Sequence, residues 1–175
     1  MDLALEIVKA LWFILPAYGA NAFPPLMKGK IPIDRGKKLG KERILGDGKT
    51  VEGTLGGFAF GTFVAMAQIF LQSEIEIVKT YGFVEMTIFL GVLLSLGALL
   101  GDMLGSFIKR RLGIKRGAPA PLLDQLDFLF GALLLSSFLV SLSKTTIIIL
   151  VVITPIIHYA ANAAAYLLKI KPIPY

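Results

Sequence analysis

Apolar positions along the chain gather into five long runs, at about residues 3–26, 53–71, 83–108, 122–142 and 145–168. Roughly 20 consecutive apolar residues are what an α-helix needs to cross the hydrocarbon core of a bilayer. The pattern therefore predicts an all-α integral membrane protein, a single transmembrane domain over 1–175 with five transmembrane helices. The breaks between runs are specific. Pro24-Pro25 ends the first, and Pro16 and Asn21 interrupt its apolar character. A Gly- and Pro-containing basic segment follows, too polar to cross and too interrupted for one long helix. Residues 72–82 form a short polar loop, and residues 109–121 a charged turn. Ser143-Lys144 is a tight turn, and the tail reads Lys169-Ile-Lys-Pro-Ile-Pro-Tyr175.

Composition agrees with the pattern. Hydrophobic residues make up 55% of the chain and mean hydropathy is +0.75, far above a soluble domain. Absence of cysteine excludes disulfides, zinc–thiolate sites and thiol nucleophiles. The opening Met1-Asp2-Leu3 has neither a basic leader nor a small-residue cleavage site, so the first run is expected to be retained. Net charge is +6, and its placement sets an orientation. The loop at 28–50, the turn at 109–121 and the tail carry nearly all the Lys and Arg, while Lys9, Lys79 and Lys144 fall on the opposite side. The positive-inside rule puts both large loops and the C-terminus in the cytoplasm and the N-terminus outside. The expected location is the cell membrane, multi-pass, with any active site on the cytoplasmic side.

Candidate chemistry concentrates between Gly101 and Asp127. Asp102, Ser106 and Lys109 (i, i+4, i+7) share one face of a helix, with Arg110 nearby. Gly113 lets that helix end. A second helix begins near Pro121 and places Asp124 and Asp127 (i, i+3) on one face. A carboxylate inside a span costs on the order of 3 kcal/mol, so Asp102 requires a partner. One structural ion pair is the simplest partner. Three carboxylates converging on several cations suit a metal-bound polyphosphate better: carboxylates ligate a hard divalent cation, and Lys and Arg neutralise phosphate. Arg111 reads as a topological anchor only.

A second candidate is Gly46-Asp-Gly-Lys-Thr-Val-Glu-Gly-Thr-Leu-Gly-Gly57, just ahead of the second run. Glycines and a helix N-terminus offer backbone N–H groups to anions. Gly48, Lys49, Thr50 and Glu52 are read as phosphate or metal-site residues, and Gly56, Gly57 and Gly61 as close-packing positions. In the basic loop, Lys28, Lys30, Lys37, Lys38 and Lys41 read as headgroup-attracting charges, and Arg43 as a weaker functional candidate. His158 and Asn162 (i, i+4) form a polar stripe that reads as an interhelical hydrogen bond. No hydrolase motif is present.

Gly101-Asp102, Ser106, Lys109-Arg110, Gly113-Ile-Lys115, Pro121, Asp124 and Asp127 together resemble the signature of the CDP-diacylglycerol synthases, membrane enzymes that transfer CMP from CTP to a lipid phosphate. That family also carries Gly-Lys-Thr-x-Glu-Gly ahead of a span, matched by Gly48-Lys-Thr-Val-Glu-Gly53. The family's Pro-Gly-His-Gly-Gly before the acidic pair is replaced by Pro119-Ala-Pro-Leu-Leu-Asp124, and its following Arg by Gln125. Ala20-Asn21-Ala-Phe-Pro24 and Pro32-Ile-Asp34 resemble the archaeal branch of the family, which makes CDP-archaeol.

The resemblance implies a nucleotidyltransferase of phospholipid synthesis. Its substrates would be CTP and an isoprenoid glycerol-ether lipid phosphate, digeranylgeranylglyceryl phosphate. Asp102, Asp124 and Asp127 would hold one or two Mg²⁺ ions. Lys109, Arg110 and Lys115 would neutralise phosphate. Lys49 and Thr50 would hold the nucleotide, and Asn21 would read the cytosine or a phosphate; Gly48, Glu52, Ser106 and Arg43 complete the expected binding set. Expected partners are CTP, the ether lipid phosphate and membrane lipids, with no nucleic acid. Three other readings are weighed against it. One is the same transfer to ester phosphatidic acid. Another is a small anion transporter, disfavoured because the charges cluster at one face. The third is a CDP-alcohol phosphotransferase, whose acidic motif is absent.

Overall fold

The computed structural model describes residues 2–115, 118 and 120–169; Arg116 and Lys171, counted among the cations, lie outside them, as do Pro119 and the rest of the tail. Helix α1 (Leu3–Ala22) is followed by a 3₁₀ turn at Pro24–Met27. A small hairpin comes next, β1 (Lys38–Leu39) paired antiparallel with β2 (Glu42–Arg43). Then follow α2 (Val51–Gln72), the short α3 (Glu76–Thr80), α4 (Ile88–Arg111), α5 (Leu123–Ser136) and α6 (Lys144–Leu167).

Small residues let the helices approach closely. A Cβ on Gly57 would lie 2.5 Å from the Ala20 carbonyl oxygen, and one on Gly61 2.7 Å from that of Pro16. These pairs run in opposite senses along the two helices, so α2 lies antiparallel on α1. The same holds for α4 and α5. A Cβ on Gly97 would lie 2.4 Å from the Gly131 carbonyl, and one on Gly101 2.2 Å from that of Asp127. Such backbone contact is what small residues contribute to helix association in lipid, where no hydrophobic force operates between helices. Ala10, Phe13, Ile14 and Ala17 of α1 form the core with Leu90, Leu94 and Ala98 of α4 and Leu129 and Ala132 of α5. Large apolar side chains such as Phe63, Phe70, Phe89, Leu134 and Ile148 face outward, as they do in a protein solvated by lipid.

Two expected boundaries are corrected. The third run becomes helical only at Ile88. Before it, the two amide atoms of Gln72 clamp Met86: Nε2 donates to the Met86 carbonyl (3.0 Å) and Oε1 accepts from its N–H (2.9 Å). Residues 83–87 are outside any helix, and Glu85 is exposed. Thr87 then caps α4 by accepting from Leu90 N–H.

The fourth run is helical for only 14 residues, ending at Ser136. The Ser136 and Ser137 hydroxyls donate back to the carbonyls of Leu133 and Leu134, a local bonding that competes with helix continuation. Four helices are long and apolar enough to cross a membrane: Leu3–Met27 (with the 3₁₀ turn), α2, α4 and α6. A helix the length of α5 reaches only about 21 Å.

The C-terminal ends of α1 and α4 and the N-terminal ends of α2 and α5 meet at one end of the bundle. His158, in the C-terminal half of α6, faces the same place. The loop 28–50 and the turn after α4 both lie at this end.

Candidate active site

The Gly-rich segment is ordered by its own chemistry. Thr50 is the N-cap of α2, its hydroxyl accepting from Gly53 N–H at 3.2 Å. Residues 31–33 run beside 49–51, with Ile33 N–H donating to the Lys49 carbonyl and Val51 N–H to that of Ile31, both at 2.9 Å. The Glu52 carboxylate accepts the backbone N–H groups of Lys30 (3.1 Å) and Ile31 (3.2 Å). Gly29 packs so closely on Thr50 that a Cβ would lie 2.2 Å from its Oγ1. Lys49 is thereby presented at the start of α2.

A second set of contacts orders the basic loop. Asp34, 6% exposed, accepts from Gly36, Leu45 and Gly46 N–H groups at 3.2, 3.0 and 2.9 Å. Arg43 clamps the same carboxylate and donates to Asp47 at 2.7 Å. The guanidinium, with the three backbone donors, holds the Asp34 carboxyl well below the usual carboxylate range; the Arg43 pKa is raised in turn. Arg111, at the end of α4, donates to the carbonyls of Leu39 and Arg43 and covers the Phe107 ring at 5.3 Å. It therefore ties the hairpin to α4, which is more than the anchoring role expected of it.

Helix α4 ends as Gly113 predicts. Gly113 has φ +71°, and the N–H groups of Gly113 and Ile114 return to the carbonyls of Arg110 and Lys109. The chain then turns back so that α5 lies antiparallel on α4. Gln125 Oε1 accepts Leu122 N–H at 2.8 Å and closes the first turn of α5.

The acidic residues meet the lysines at this junction. Lys49 Nζ is paired with Asp102, and Lys109 Nζ with Asp124. Asp124 also accepts Ala120 N–H at 2.9 Å. Asp127 Oδ1 accepts Phe128 N–H at 2.6 Å, and its Oδ2 lies against Gly105, 2.0 Å from where a Cβ would stand. Asp127 is within electrostatic reach of Asp102, Lys49 and Lys109. Each carboxylate is only partly exposed.

Above them is a cavity of about 350 Å³. Of the predicted residues, Asn21, Gly48, Lys49, Thr50, Asp102 and Asp124 line it; Asp127 and Lys109 stand behind this lining. Ser106 is buried in the helix packing. Arg110, Lys115, Arg43 and Glu52 are not part of the lining, and the last two shape the loop that carries Lys49.

Several lining residues lie outside the predicted set. Lys28, a headgroup-attracting charge by sequence, faces the cavity, placed by its left-handed backbone (φ +46°) at the end of the 3₁₀ turn. Asp47, framed by Gly46 and Gly48, lines it too. His158 bonds Asn162 within α6 at 3.2 Å and also lines the cavity. Its signal in sequence is the i, i+4 polar pair in an otherwise apolar run.

The anionic donors are all carboxylate oxygen. Among the described residues no three carboxylate or imidazole side chains form a ready-made metal cage. Magnesium does not require one, because it binds through one or two carboxylates with substrate phosphates completing its shell. Asp102 and Asp124 at the cavity, with Asp127 behind, fit that mode. Cations and carboxylates in one cavity at a bundle end are suited to holding a polyphosphate beside a membrane.

The comparisons with known proteins agree with this chemistry. Residues 3–175 match the family model described as CarS-like, CDP-archaeol synthase. The chain is 47% identical over 167 residues to the CDP-archaeol synthase of Thermococcus gammatolerans, covering 95% of each. It is 46% identical over 174 residues to that of Sulfolobus acidocaldarius, covering 98% of this chain and 99% of that one. It also resembles a solved structure of an intramembrane enzyme for archaeal membrane lipids biosynthesis, with TM-score 0.77 and 41% identity, covering 89% of this chain and 94% of that one. With its all-helical apolar bundle and its mixed-charge cavity at one end, the chain belongs to the CDP-archaeol synthase family.

Proposed function

We propose that the chain transfers the cytidylyl group of CTP to an isoprenoid glycerol-ether lipid phosphate, giving the CDP-lipid and pyrophosphate. The observation that carries this reading beyond family membership is the pairing of Lys49 with Asp102. It brings the Gly-rich phosphate-type loop and the acidic helix junction to one cavity.

An oxygen of the lipid phosphate attacks the α-phosphorus of CTP in line. The new P–O bond forms as the bond to the β-phosphate breaks, and pyrophosphate leaves with the electron pair. Such a reaction needs positioning and charge neutralisation more than covalent help. Lys49, with the N–H groups at the start of α2, holds the triphosphate. Lys28 adds a second cation at the cavity wall, and Lys109 reaches phosphate when it releases Asp124. Asn21 contacts the base or a phosphate. Asp102, Asp124 and Asp127 are the oxygens that would hold one or two Mg²⁺ ions, which when bound supply charge neutralisation to the triphosphate.

The proposed topology has five crossings within one domain. The fourth is α5 continued by the non-helical stretch 137–143. Loops 28–50 and 112–122 and the C-terminus face the cytoplasm, and the N-terminus faces out. The clustering of Lys and Arg at the cavity end supports this, and in that orientation soluble CTP would reach the site.

The test follows the label. With α-labelled CTP, magnesium and digeranylgeranylglyceryl phosphate, the label should enter the lipid. With γ-labelled CTP it should leave in pyrophosphate. Chelation of the divalent cation should stop both. Transfer of the γ-label to lipid would contradict the reading, and activity that survives chelation would contradict the metal assignment.

A further inference from the structure

Helix α1 carries a proline inside it, and Pro16 has no N–H to give the carbonyl four residues back, that of Trp12. A proline ring also pushes that carbonyl aside and bends the helix there. In the hydrocarbon region no water takes the place of the lost donor. Helix α2 supplies one: Gln68 Nε2 donates to the Trp12 carbonyl oxygen at 2.7 Å. Gln68 is 2% exposed, an amide set in an otherwise apolar stretch of α2. Its Oε1 has no hydrogen-bond partner among the described residues. Burying that amide is a cost that a leucine would avoid, and the bond to Trp12 is what offsets it.

The contact continues in steps of four along α1. The carbonyls of Trp12, Pro16 and Ala20 all lie against α2. The first meets Gln68, and the next two stand 2.7 and 2.5 Å from where Cβ atoms on Gly61 and Gly57 would be. Asn21 follows directly and lines the polar cavity, and Lys49 and Thr50 reach the same cavity from the N-terminal end of α2. The path of α1 beyond Pro16 therefore sets where Asn21 stands relative to Lys49 and Thr50.

We propose that Pro16 and Gln68 form a positioning pair for the reaction: Pro16 bends α1, and Gln68 holds the opened turn so that Asn21 is aimed at the nucleotide. Neither side chain lines the cavity, and both act through Asn21. This rests on the cytidylyl-transfer reading, in which Asn21 contacts the base or a phosphate. A bond that served helix packing alone would move stability alone. A bond that aims Asn21 moves the affinity for CTP as well.

The experiment measures the KM for CTP and the thermal midpoint in detergent across variants of the full chain. Pro16→Ala restores an N–H for the Trp12 carbonyl and removes the cause of the bend. It should keep or raise the midpoint while raising the KM for CTP about tenfold, the scale of one lost hydrogen bond to a charged group. Gln68→Leu leaves the Trp12 carbonyl open and should lower the midpoint by several degrees, with a similar rise in KM. Combining Gln68→Leu with Pro16→Ala should return the midpoint to that of Pro16→Ala while the KM stays high, a split that a purely structural bond would not give. Pro16→Ala added to Asn21→Ala should raise the KM no further than Asn21→Ala alone, because both act on one contact. A wild-type KM for CTP in Pro16→Ala, or additive effects with Asn21→Ala, would overturn the proposal. Pro16→Ala also decides the question if Gln68→Leu fails to fold. A wild-type protein that transfers no cytidylyl group would instead overturn the transfer reading, and this inference with it.

Discussion

Lys49 and Asp102 stand 53 residues apart in the chain and are paired across the cavity, one at the entry to α2 and the other inside α4. The pair resolves the cost of a carboxylate in an apolar helix. It also holds the nucleotide-type loop against the acidic junction. Breaking it from the lysine side tests both roles. Lys49→Met should lower kcat/KM for CTP by about 10²–10³, the usual scale for losing one charge-stabilising donor. Lys49→Arg should recover only part of it, because a planar fork does not replace a point charge at that position. Steady-state pyrophosphate release measures this.

The α4–α5 contact ties glycines of α4 to stability and, at Gly105, to the placement of Asp127. A Cβ at Gly97 would meet the Gly131 backbone, so Gly97→Ala should force the helices apart and cost about 1–3 kcal/mol. A Cβ at Gly105 would stand 2.0 Å from Asp127 Oδ2 and also 2.8 Å from Asp127 Cβ, which moves only with α5. Gly105→Ala should therefore lower both thermal stability in detergent and turnover, the latter by shifting the Asp127 carboxylate. Full turnover in Gly105→Ala would contradict the contact scheme.

Much of this was legible in the chain because membrane crossing writes itself in long apolar runs, and because Asp102, Asp124 and Asp127 are conspicuous there. The positions of Gly57 and Gly61 as contact points were legible for the same reason. What was not legible depends on capping and on distant partners. Gln72 delays the start of α4 by clamping Met86, and two serine hydroxyls end α5 early. Neither effect has a hydropathy signature. Lys28 and Lys30 look alike in sequence, yet only Lys28 lines the cavity, because a left-handed residue after a 3₁₀ turn redirects the chain. Arg43 and Glu52 sit among the site residues in sequence, but their side chains are used to build the loop.

The pH response of the loop follows from Asp34. Its carboxyl is held low by Arg43 and three N–H donors, so its contribution to loop stability is complete above the unfolded value near pH 4. That contribution is lost progressively as pH falls from there through the depressed folded value. Protection of the Leu45 and Gly46 amides against hydrogen exchange should be constant from neutral pH down to about pH 4 and fall below it. Asp34→Asn should weaken that protection at neutral pH and abolish the acid dependence.

Arg111 offers a check on how the hairpin is held. Arg111→Ala removes donors to the Leu39 and Arg43 carbonyls, so residues 37–45 should become sensitive to limited proteolysis while the helices stay intact. Turnover should fall through a higher KM for CTP, since the Lys49 loop leans on this hairpin through Arg43 and Asp47. Unaltered cleavage at 37–45 would contradict that support.

The most direct test of the central claim is pyrophosphate release by Asp102→Asn, reconstituted in liposomes with magnesium, CTP and digeranylgeranylglyceryl phosphate. The substitution keeps the shape and removes the charge that pairs Lys49 and would bind metal. The account predicts folded protein whose turnover is at least about a hundredfold below wild type. Near-wild-type turnover would contradict the assignment of this cavity as the site of cytidylyl transfer.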